Sequence, residues 1–562
     1  MTASKPSYWN RPGYKGLTPL TIGQLVDISA KKWPDKEALV FVHQEKRLTF
    51  GEIKDKADRL AAGLLQLGLS PGDRLAIWGP NSAEWCITKL AAARGGFIIV
   101  QLDPAYEKPQ LLDGLNKVGV KALVCAQSFK TNNYYEMLRS LVPELDSCAE
   151  TGVELNCSNV PSLKTLIFMG DCQYRGAYKF HDVLSSAQPK FLQRIQELQT
   201  LIQPDDGAVI HYSSGTTGNP KAVLLSHHNI VNNAVYVGKQ IEQDKEGARI
   251  NITMQFCHIS GSVIGIISNI IYGATVVISS AVYDGEKVLE TVEKERCTHI
   301  IATPSPFVEM IRIAKSQGLK FTTLKCAGIG GAPSSQELPL EILRTFNMER
   351  ICSCYGMTEI GFVAIGQPGD DLEEMSNYVG HMSDDMEFKV VDREGRMVPI
   401  GTPGELWVRG YSVMLKYWGD EEQTLKSMGP GGWVKTGDQF ILQEHGYGKV
   451  VGRIKDVIIR LADKIFPVEM ENFFMKHPDV IEAQVLGVPD PKVGEEICVF
   501  LRLRDGIELT VEDIINYCKD KIPEYRIPRY IRFVKEFPRT VIGKVKKYEL
   551  LEMLQKEFNG LL

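Results

Sequence analysis

The sequence predicts an α/β fold made of a large N-terminal domain of layered, mainly parallel sheets with helices, a small β-rich subdomain, and an α+β C-terminal domain. Three observations carry this reading. From about residue 38, apolar strand-like runs alternate with amphipathic helical stretches, the rhythm of strand–helix layers. After Gly401 the texture changes to short strands punctuated by glycine, as in Gly404-Glu405-Leu406-Trp407-Val408-Arg409-Gly410. After Arg453 it changes again, to a compact α+β pattern ending in helices, which places the domains at 1–453 and 454–562.

In chain order, the first repeat unit shows the logic. Thr49 with Glu52 reads as a capping box, Leu60, Leu64, Leu65 and Leu67 give a helical stripe, Gly68 stops it, and Asp73 to Trp78 follows as a strand. The same rhythm recurs at Phe97–Val100, Ala122–Cys125, Leu166–Met169 and His299–Thr303. Ile250 to Tyr283 contains no Asp, Glu, Lys or Arg, and its length alone would permit a membrane span. Asn251, Gln255, His258, Asn269 and three glycines dilute it, so the preferred reading is a buried helix near Val263–Ile271, a turn at Gly273 and a buried strand Thr275–Ile278.

Composition narrows the function. The 64 Lys+Arg against 69 Asp+Glu give a net charge of −5, which offers nothing to a nucleic-acid backbone and points to a small-molecule partner. The 12 cysteines are scattered without a C-x-x-C, so neither a disulfide framework nor a zinc site is expected and a reducing compartment fits. No secretory signal core precedes Asp27, and the C-terminal Asn-Gly-Leu-Leu is not a peroxisomal Ser-Lys-Leu.

The strongest chemical signal is Tyr212-Ser213-Ser214-Gly215-Thr216-Thr217-Gly218-Asn219-Pro220-Lys221, directly after the apolar run Ala208-Val209-Ile210. Gly215 and Gly218 let backbone N–H groups approach an anion, four hydroxyls add donors, and Lys221 adds charge, a set suited to a polyphosphate. It is not a Walker loop, because Lys221 follows Pro220 rather than glycine.

With this loop the chain resembles the adenylate-forming superfamily of acyl-CoA synthetases, luciferases and amino-acid adenylation domains. Further matching pieces follow in the family's order: Gly330-Gly331-Ala332-Pro333, Tyr355-Gly356-Met357-Thr358-Glu359, Gly404-Glu405-Leu406, Trp433 to Asp438, Gly452 to Asp456, and Pro538 to Lys544. The stretches Trp78 to Ser82, Asp103 to Tyr106 and Gly410 to Leu415 most resemble the medium-chain acyl-CoA synthetase family member 2 branch. The resemblance implies activation of a medium-chain fatty acid by ATP to acyl-AMP, then transfer to CoA, with Mg²⁺ as the metal and the mitochondrion or cytoplasm as the compartment. It implies a mobile C-terminal domain hinged at Lys455 and carrying Lys544 as the catalytic lysine. Glu359 is then the Mg²⁺-holding acid, Thr358 the α-phosphate donor, Asp438 the ribose acceptor assisted by Arg453, and Gly331, Ala332, Pro333, Tyr355 and Gly356 the adenine slot. Ser213, Ser214, Gly215, Thr216, Thr217, Gly218 and Lys221 hold phosphate, and His258 stands at the entrance of an acyl tunnel whose candidate walls are Val263 to Gly265, Pro304 to Phe307 and Ile360 to Val363.

Departures keep alternatives open. Gln255 stands where the family often has proline, Ala222 where it has glycine, and Ile542 where it has serine or threonine. Luciferases carry a lysine at the position of Ile459, which counts against luciferase-like oxygenation. Leu461 and Ala462 replace two glycines facing the CoA pantetheine tunnel, so an enzyme that adenylates normally but ligates CoA slowly or uses another acceptor is one alternative. A non-catalytic acyl or nucleotide binder is another.

Overall fold

The computed structural model describes residues 5–13, 15–213, 220–332, 335–460, 463–490, 492–519, 521–540 and 543–559, with the side chains of 558 and 559 excepted. Two large sheets form the body. The first runs Ala177–Lys179, Thr165–Phe168, Val120–Cys125, Arg74–Trp78, Ile98–Leu102, Gly207–Ser213, Lys221–Ser226 and Lys416–Tyr417. Its strands are parallel as far as Gly207–Ser213 and antiparallel beyond it. The second runs His381–Met382, Gly361–Ile365, Arg350–Met357, Cys326–Gly330, His299–Ala302, Arg249–Ile252, Thr275–Ile278, Glu37–Phe41 and Lys46–Thr49, parallel in its centre and antiparallel at both edges. Parallel strands buried on both faces need near-continuous apolar runs, and Val276, Val277 and Ile278 are each at most 1% exposed.

The local expectations hold in detail. Thr49 caps helix Phe50–Gln66 with the reciprocal Glu52 bond, and Gly68 sits beyond its end at φ 92°. The uncharged run forms helix Ile259–Ser262, a π turn Val263–Ile267 and helix Ser268–Tyr272, stops at left-handed Gly273 and enters strand Thr275–Ile278. Among the described residues no helix is long and apolar enough to cross a membrane. The 12 cysteines are free thiols.

The β-rich layer is an antiparallel sheet of Met386–Val391, Gly404–Gly410, Trp433–Leu442, Met428–Gly429 and Gly448–Arg453. It begins before Gly401 and recruits Tyr8–Asn10 from the N-terminus as an edge strand, a long-range pairing that no local pattern announces. Beyond Arg453, Ile458–Arg460, Asp463–Ile465, Val480–Asp490 and Gly494–Leu503 form an antiparallel sheet, with Tyr530–Phe533 joining in parallel and helices Pro467–Met475, Val511–Cys518 and Lys547–Asn559 packed around it.

Candidate active site

The site gathers at the carboxyl ends of the parallel strands, where open α/β sheets bind ligands. Gly207–Ser213 delivers Ser213 at its end and pairs with Lys221–Ser226, with Ser213 opposite Lys221. Ser214, Gly215, Thr216, Thr217 and Gly218 lie outside the described residues, as do Pro333, Leu461 and Ala462. Cys326–Gly330 leads to Gly331 at φ 81°. At Gly330 a Cβ would come 2.3 Å from Cys354 Sγ, so close strand packing demands glycine there. Ala332 follows, half-buried.

Strand Arg350–Met357 carries Tyr355 and Gly356 and ends in the turn of Thr358 and Glu359, both buried. The Glu359 carboxylate is held rigidly: Ser213 Oγ and Tyr417 Oη each donate to its Oε1 at 3.0 Å. No described residue bonds its Oε2. The Tyr417 ring also lies beneath the Lys221 ammonium, 5.0 Å from Nζ to the ring centroid. Tyr417 thus touches both the end of the phosphate loop and the acidic residue. Sequence reasoning missed it, because only the pairing of Lys416–Tyr417 with Lys221–Ser226 brings it there.

Asp438 and Arg453 face each other across paired strands, with Arg453 Nε 3.5 Å from Oδ1. Tyr355 Oη donates to Asp438 Oδ2 at 2.7 Å, a tie between two expected site residues that the sequence did not reveal. Burial raises the Asp438 pKa, partly offset by that hydrogen bond and by Arg453. Lys455 is exposed, two residues after Arg453, in the short helical turn Ile454–Asp456.

Lys544 belongs to the C-terminal unit yet reaches this cluster. Its loop is fastened locally by Thr540 N to Lys544 O (2.7 Å) and by Lys544 N to Thr540 Oγ1 (3.1 Å). It is docked on the body by Arg539, which donates to Ser305 Oγ at 2.9 Å and to the Gly543 carbonyl at 2.8 Å. The Lys544 ammonium is pushed down to about 8, first by desolvation and then by Arg453, against the pull of Asp438 and Glu359. Lys544, Arg453, Asp438 and Glu359 therefore share one electrostatic neighbourhood.

His258 stands just before helix Ile259–Ser262 without bonding its end through the side chain, and burial followed by Lys544 pushes its imidazole down to about 3, leaving it neutral. Its loop is clamped by Asn81, which accepts from Phe256 N at 2.7 Å and donates to the Met254 carbonyl at 2.9 Å. Asn81 is a second positioning residue that sequence reasoning missed. Where the family has proline, Gln255 is buried, and its carbonyl would lie 2.3 Å from a Cβ on Gly261. Of the expected tunnel walls, Val263, Ile264 and Phe362 join the core between the two sheets; Phe307 packs in a separate core with Phe346, and Ile360 and Val363 under the antiparallel sheet. Apolar side chains at these positions serve the cores of the sheets equally well.

Comparison with known proteins agrees with this arrangement. The family model described as AMP-binding enzyme matches residues 26–418, and that for the AMP-binding enzyme C-terminal domain matches residues 469–544. Medium-chain acyl-CoA ligase ACSF2, mitochondrial, from Pongo abelii is 40% identical over 552 residues, 97% of this chain and 89% of that protein. The Homo sapiens protein of the same name is 39% identical over 97% of this chain and 89% of its own length. Among solved structures, the anthranilate CoA ligase AuaEII in complex with anthranoyl-AMP superposes with a TM-score of 0.84 at 22% identity, covering 96% of this chain and 98% of that one. ATP-bound MatB from Rhodopseudomonas palustris gives 0.80 at 22% identity, covering 95% and 99%. These structures share the fold of two sheet layers and a smaller C-terminal unit. The chain belongs to the AMP-binding enzymes.

Proposed function

We propose that this protein is an acid–thiol ligase that activates a medium-chain fatty acid with ATP and passes the acyl group to CoA. In the first step a carboxylate oxygen attacks the α-phosphorus, the bond to the β-phosphate oxygen breaks, and pyrophosphate leaves. In the second the CoA sulfur attacks the acyl carbonyl and AMP leaves. The observation that supports this best is the convergence of Lys544 from the C-terminal unit on Glu359, Asp438 and Arg453 of the body.

Two anions must meet in the first step, and like charges 4 Å apart repel by about 4 kcal/mol at an effective dielectric of 20. Lys544 offsets that repulsion between the acyl carboxylate and the α-phosphate, and Lys221 does so at the phosphate loop with Ser213 and the residues 214–218. Thr358 donates to the α-phosphate. Asp438 accepts from the ribose hydroxyls with Arg453 beside it, while Gly331, Ala332, Pro333, Tyr355 and Gly356 hold the adenine. His258, kept neutral, stands at the acyl entrance without adding charge.

The donor set at Glu359 fits Mg²⁺: a single buried carboxylate whose Oε2 takes no bond from any described residue suits a hard cation that keeps waters and phosphate oxygens as its other ligands. Among the described residues no cluster of three or more His, Cys, Asp or Glu offers an all-protein cage. When bound, the ion supplies charge neutralisation on the phosphates. Lys455 is the hinge between 1–453 and 454–562, one loop residue absorbing the rotation that withdraws Lys544 and brings another face to the thiol. The mitochondrion is the proposed compartment, supported by the name of the relatives.

Pyrophosphate release with a carboxylate panel, with and without CoA, tests this reading. Among unbranched saturated acids the specificity constant should climb with length, at about 0.8 kcal/mol per buried methylene, and acyl-CoA should appear when CoA is added. A highest kcat/KM for an aryl acid or an amino acid overturns the substrate class, and pyrophosphate release without acyl-CoA overturns the ligation step.

A further inference from the structure

Between the two large sheets, beneath the loop that carries His258, lies a set of polar atoms that the reaction above does not use. Trp85, Lys89, Gln101 and His211 are each at most 2% exposed. Lys89 Nζ, both side-chain amide atoms of Gln101, His211 Nε2 and Trp85 Nε1 have no hydrogen-bond partner among the described residues. Interiors pair more than about nine in ten such groups, so five unpaired atoms on four side chains in one place call for an explanation. The same helix supplies the contrast: Arg94, equally buried, is bonded to Asp27, Asp58, Gln196 and the Gly23 carbonyl.

The set is one cluster. Trp85 and Lys89 are a turn apart on helix Ala83–Gly95, and Gln101 and His211 are register partners on adjacent parallel strands. Their strand parity is that of Ile99 and Val209, which share the core between the sheets with Trp85, Phe256 and Val263. The charge of Lys89 acts directly on His211. Nor is the cluster remote from the chemistry, because His258 also acts on His211, Lys544 acts on His258, and His211 Nδ1 lies 2.9 Å from the carbonyl of Cys257, next to His258. A line of neighbours therefore runs from the adenylation lysine down into the apolar core and ends at Lys89.

The chemistry of the set defines what it takes. A carbonyl only accepts, so His211 Nδ1 carries the proton and Nε2 is left as an acceptor. The unused donors are the Lys89 amine, the Gln101 NH₂ and the Trp85 N–H; the unused acceptors are Gln101 Oε1 and His211 Nε2. We propose that this cluster is the far end of the acyl pocket and binds the distal carboxyl group of a medium-chain α,ω-dicarboxylic acid while the other carboxyl is adenylated. The proposal rests on the ligase reading and narrows its substrate class. A carboxylate accepts from all three donors and makes a net-neutral pair with the lysine, whereas a terminal methyl leaves every one of these atoms dry and an ω-hydroxyl accepts from only two of the donors and brings no charge to the lysine. Burial pushes Lys89 down to about 7, which an incoming carboxylate would reverse.

Matched pairs decide it, with decanedioate against decanoate as the probes. Calorimetric binding without ATP and pyrophosphate release with ATP are measured for the wild type, Lys89→Met and Gln101→Met. The wild type should prefer decanedioate at least about tenfold in both readouts, since a site built to hydrogen-bond a substrate group strongly rejects the analogue lacking it. Lys89→Met should reverse the preference toward decanoate while still releasing pyrophosphate, and Gln101→Met, which removes one of the three donors, should reduce it. Equal or better binding of decanoate by the wild type, or a ratio unchanged in Lys89→Met, overturns the proposal. If neither acid releases pyrophosphate the ligase reading falls, and the binding ratio still decides the distal site.

Discussion

The two ends of the cleft treat polar groups in opposite ways. At the adenylate end each functional side chain is tied: Glu359 to Ser213 and Tyr417, Asp438 to Tyr355 and Arg453, and the Lys544 loop to Thr540 and, through Arg539, to Ser305. At the deep end Lys89, Gln101 and His211 are equally buried, yet Lys89 Nζ, both side-chain amide atoms of Gln101 and His211 Nε2 have no partner among the described residues. The first arrangement is preorganisation, in which geometry is set before substrate arrives and little reorganisation remains for the transition state. The second is unspent bonding capacity, costly to the free protein and recovered only when a ligand enters. Breaking a tie should therefore cost rate, and removing an orphan should gain stability.

The largest effect is expected at Lys544. Lys544→Ala should lower adenylation by about 10²–10³ while sparing conversion of supplied acyl-AMP to thioester, because the lost charge acts on an anion that develops only in the first step. Equal loss in both half-reactions, measured by single-turnover quench, would show that Lys544 does something else. The pH profile carries the same information. With a pKa near 8, Lys544 loses its proton as pH rises through that value, so wild-type adenylation should fall on the alkaline side. Lys544→Arg, weaker overall, should keep its rate to higher pH.

A smaller effect is expected at Tyr417. Tyr417→Phe deletes one hydrogen bond to Glu359 and keeps the ring beneath Lys221, so adenylation should drop by roughly three- to tenfold, the worth of one such bond. The Mg²⁺ concentration for half-maximal rate should rise with it, and Mn²⁺ bound with a non-hydrolysable ATP analogue should show weaker affinity by electron paramagnetic resonance. Tyr417→Leu removes the ring as well and should raise the KM for ATP. Unchanged metal affinity in Tyr417→Phe would reduce Tyr417 to a packing residue.

Why Lys544 was legible and Tyr417 was not follows from how each is positioned. Lys544, Glu359 and Asp438 sit in short contiguous motifs that are read along the chain, and the resemblance of those motifs to the adenylate-forming family singles them out. The buried helix and strand around Gly273 were readable for a similar reason, because an uncharged run bounded by turn signals has few other fates. The π turn at Val263–Ile267 within that run was not, since it depends on how the helix seats against its neighbours rather than on its own residues. Tyr417, Asn81 and the edge strand Tyr8–Asn10 act across long-range pairings that periodicity does not encode. Lys89 was hidden for the converse reason. A lysine in a helix reads as a solvated face, and only the packing of helix Ala83–Gly95 on all sides turns it inward.

The effect that separates the two ends most cleanly concerns stability rather than rate. Lys89 titrates near 7 in the native protein against its ordinary value near 10.5, because burial disfavours its charged form. Between those values the unfolded chain binds more protons than the native one, so the stability of the wild type should rise with pH across that window. Below about pH 7 the full penalty applies, on the order of 5 kcal/mol for a shift of this size. The other titratable groups that interact with Lys89 stay out of the window: His227 is pushed down to about 4, His211 is held well below its usual range, and the buried Cys86 thiol is pushed well up. Lys89→Met carries no titrating group and keeps an apolar stem of similar length, so its thermal midpoint should exceed the wild type's most at pH 6 and least at pH 9.5. A variant no more stable than the wild type at pH 6, or an advantage that grows with pH, would mean that Lys89 already has a partner in the folded protein and that the deep end is as fully tied as the adenylate end.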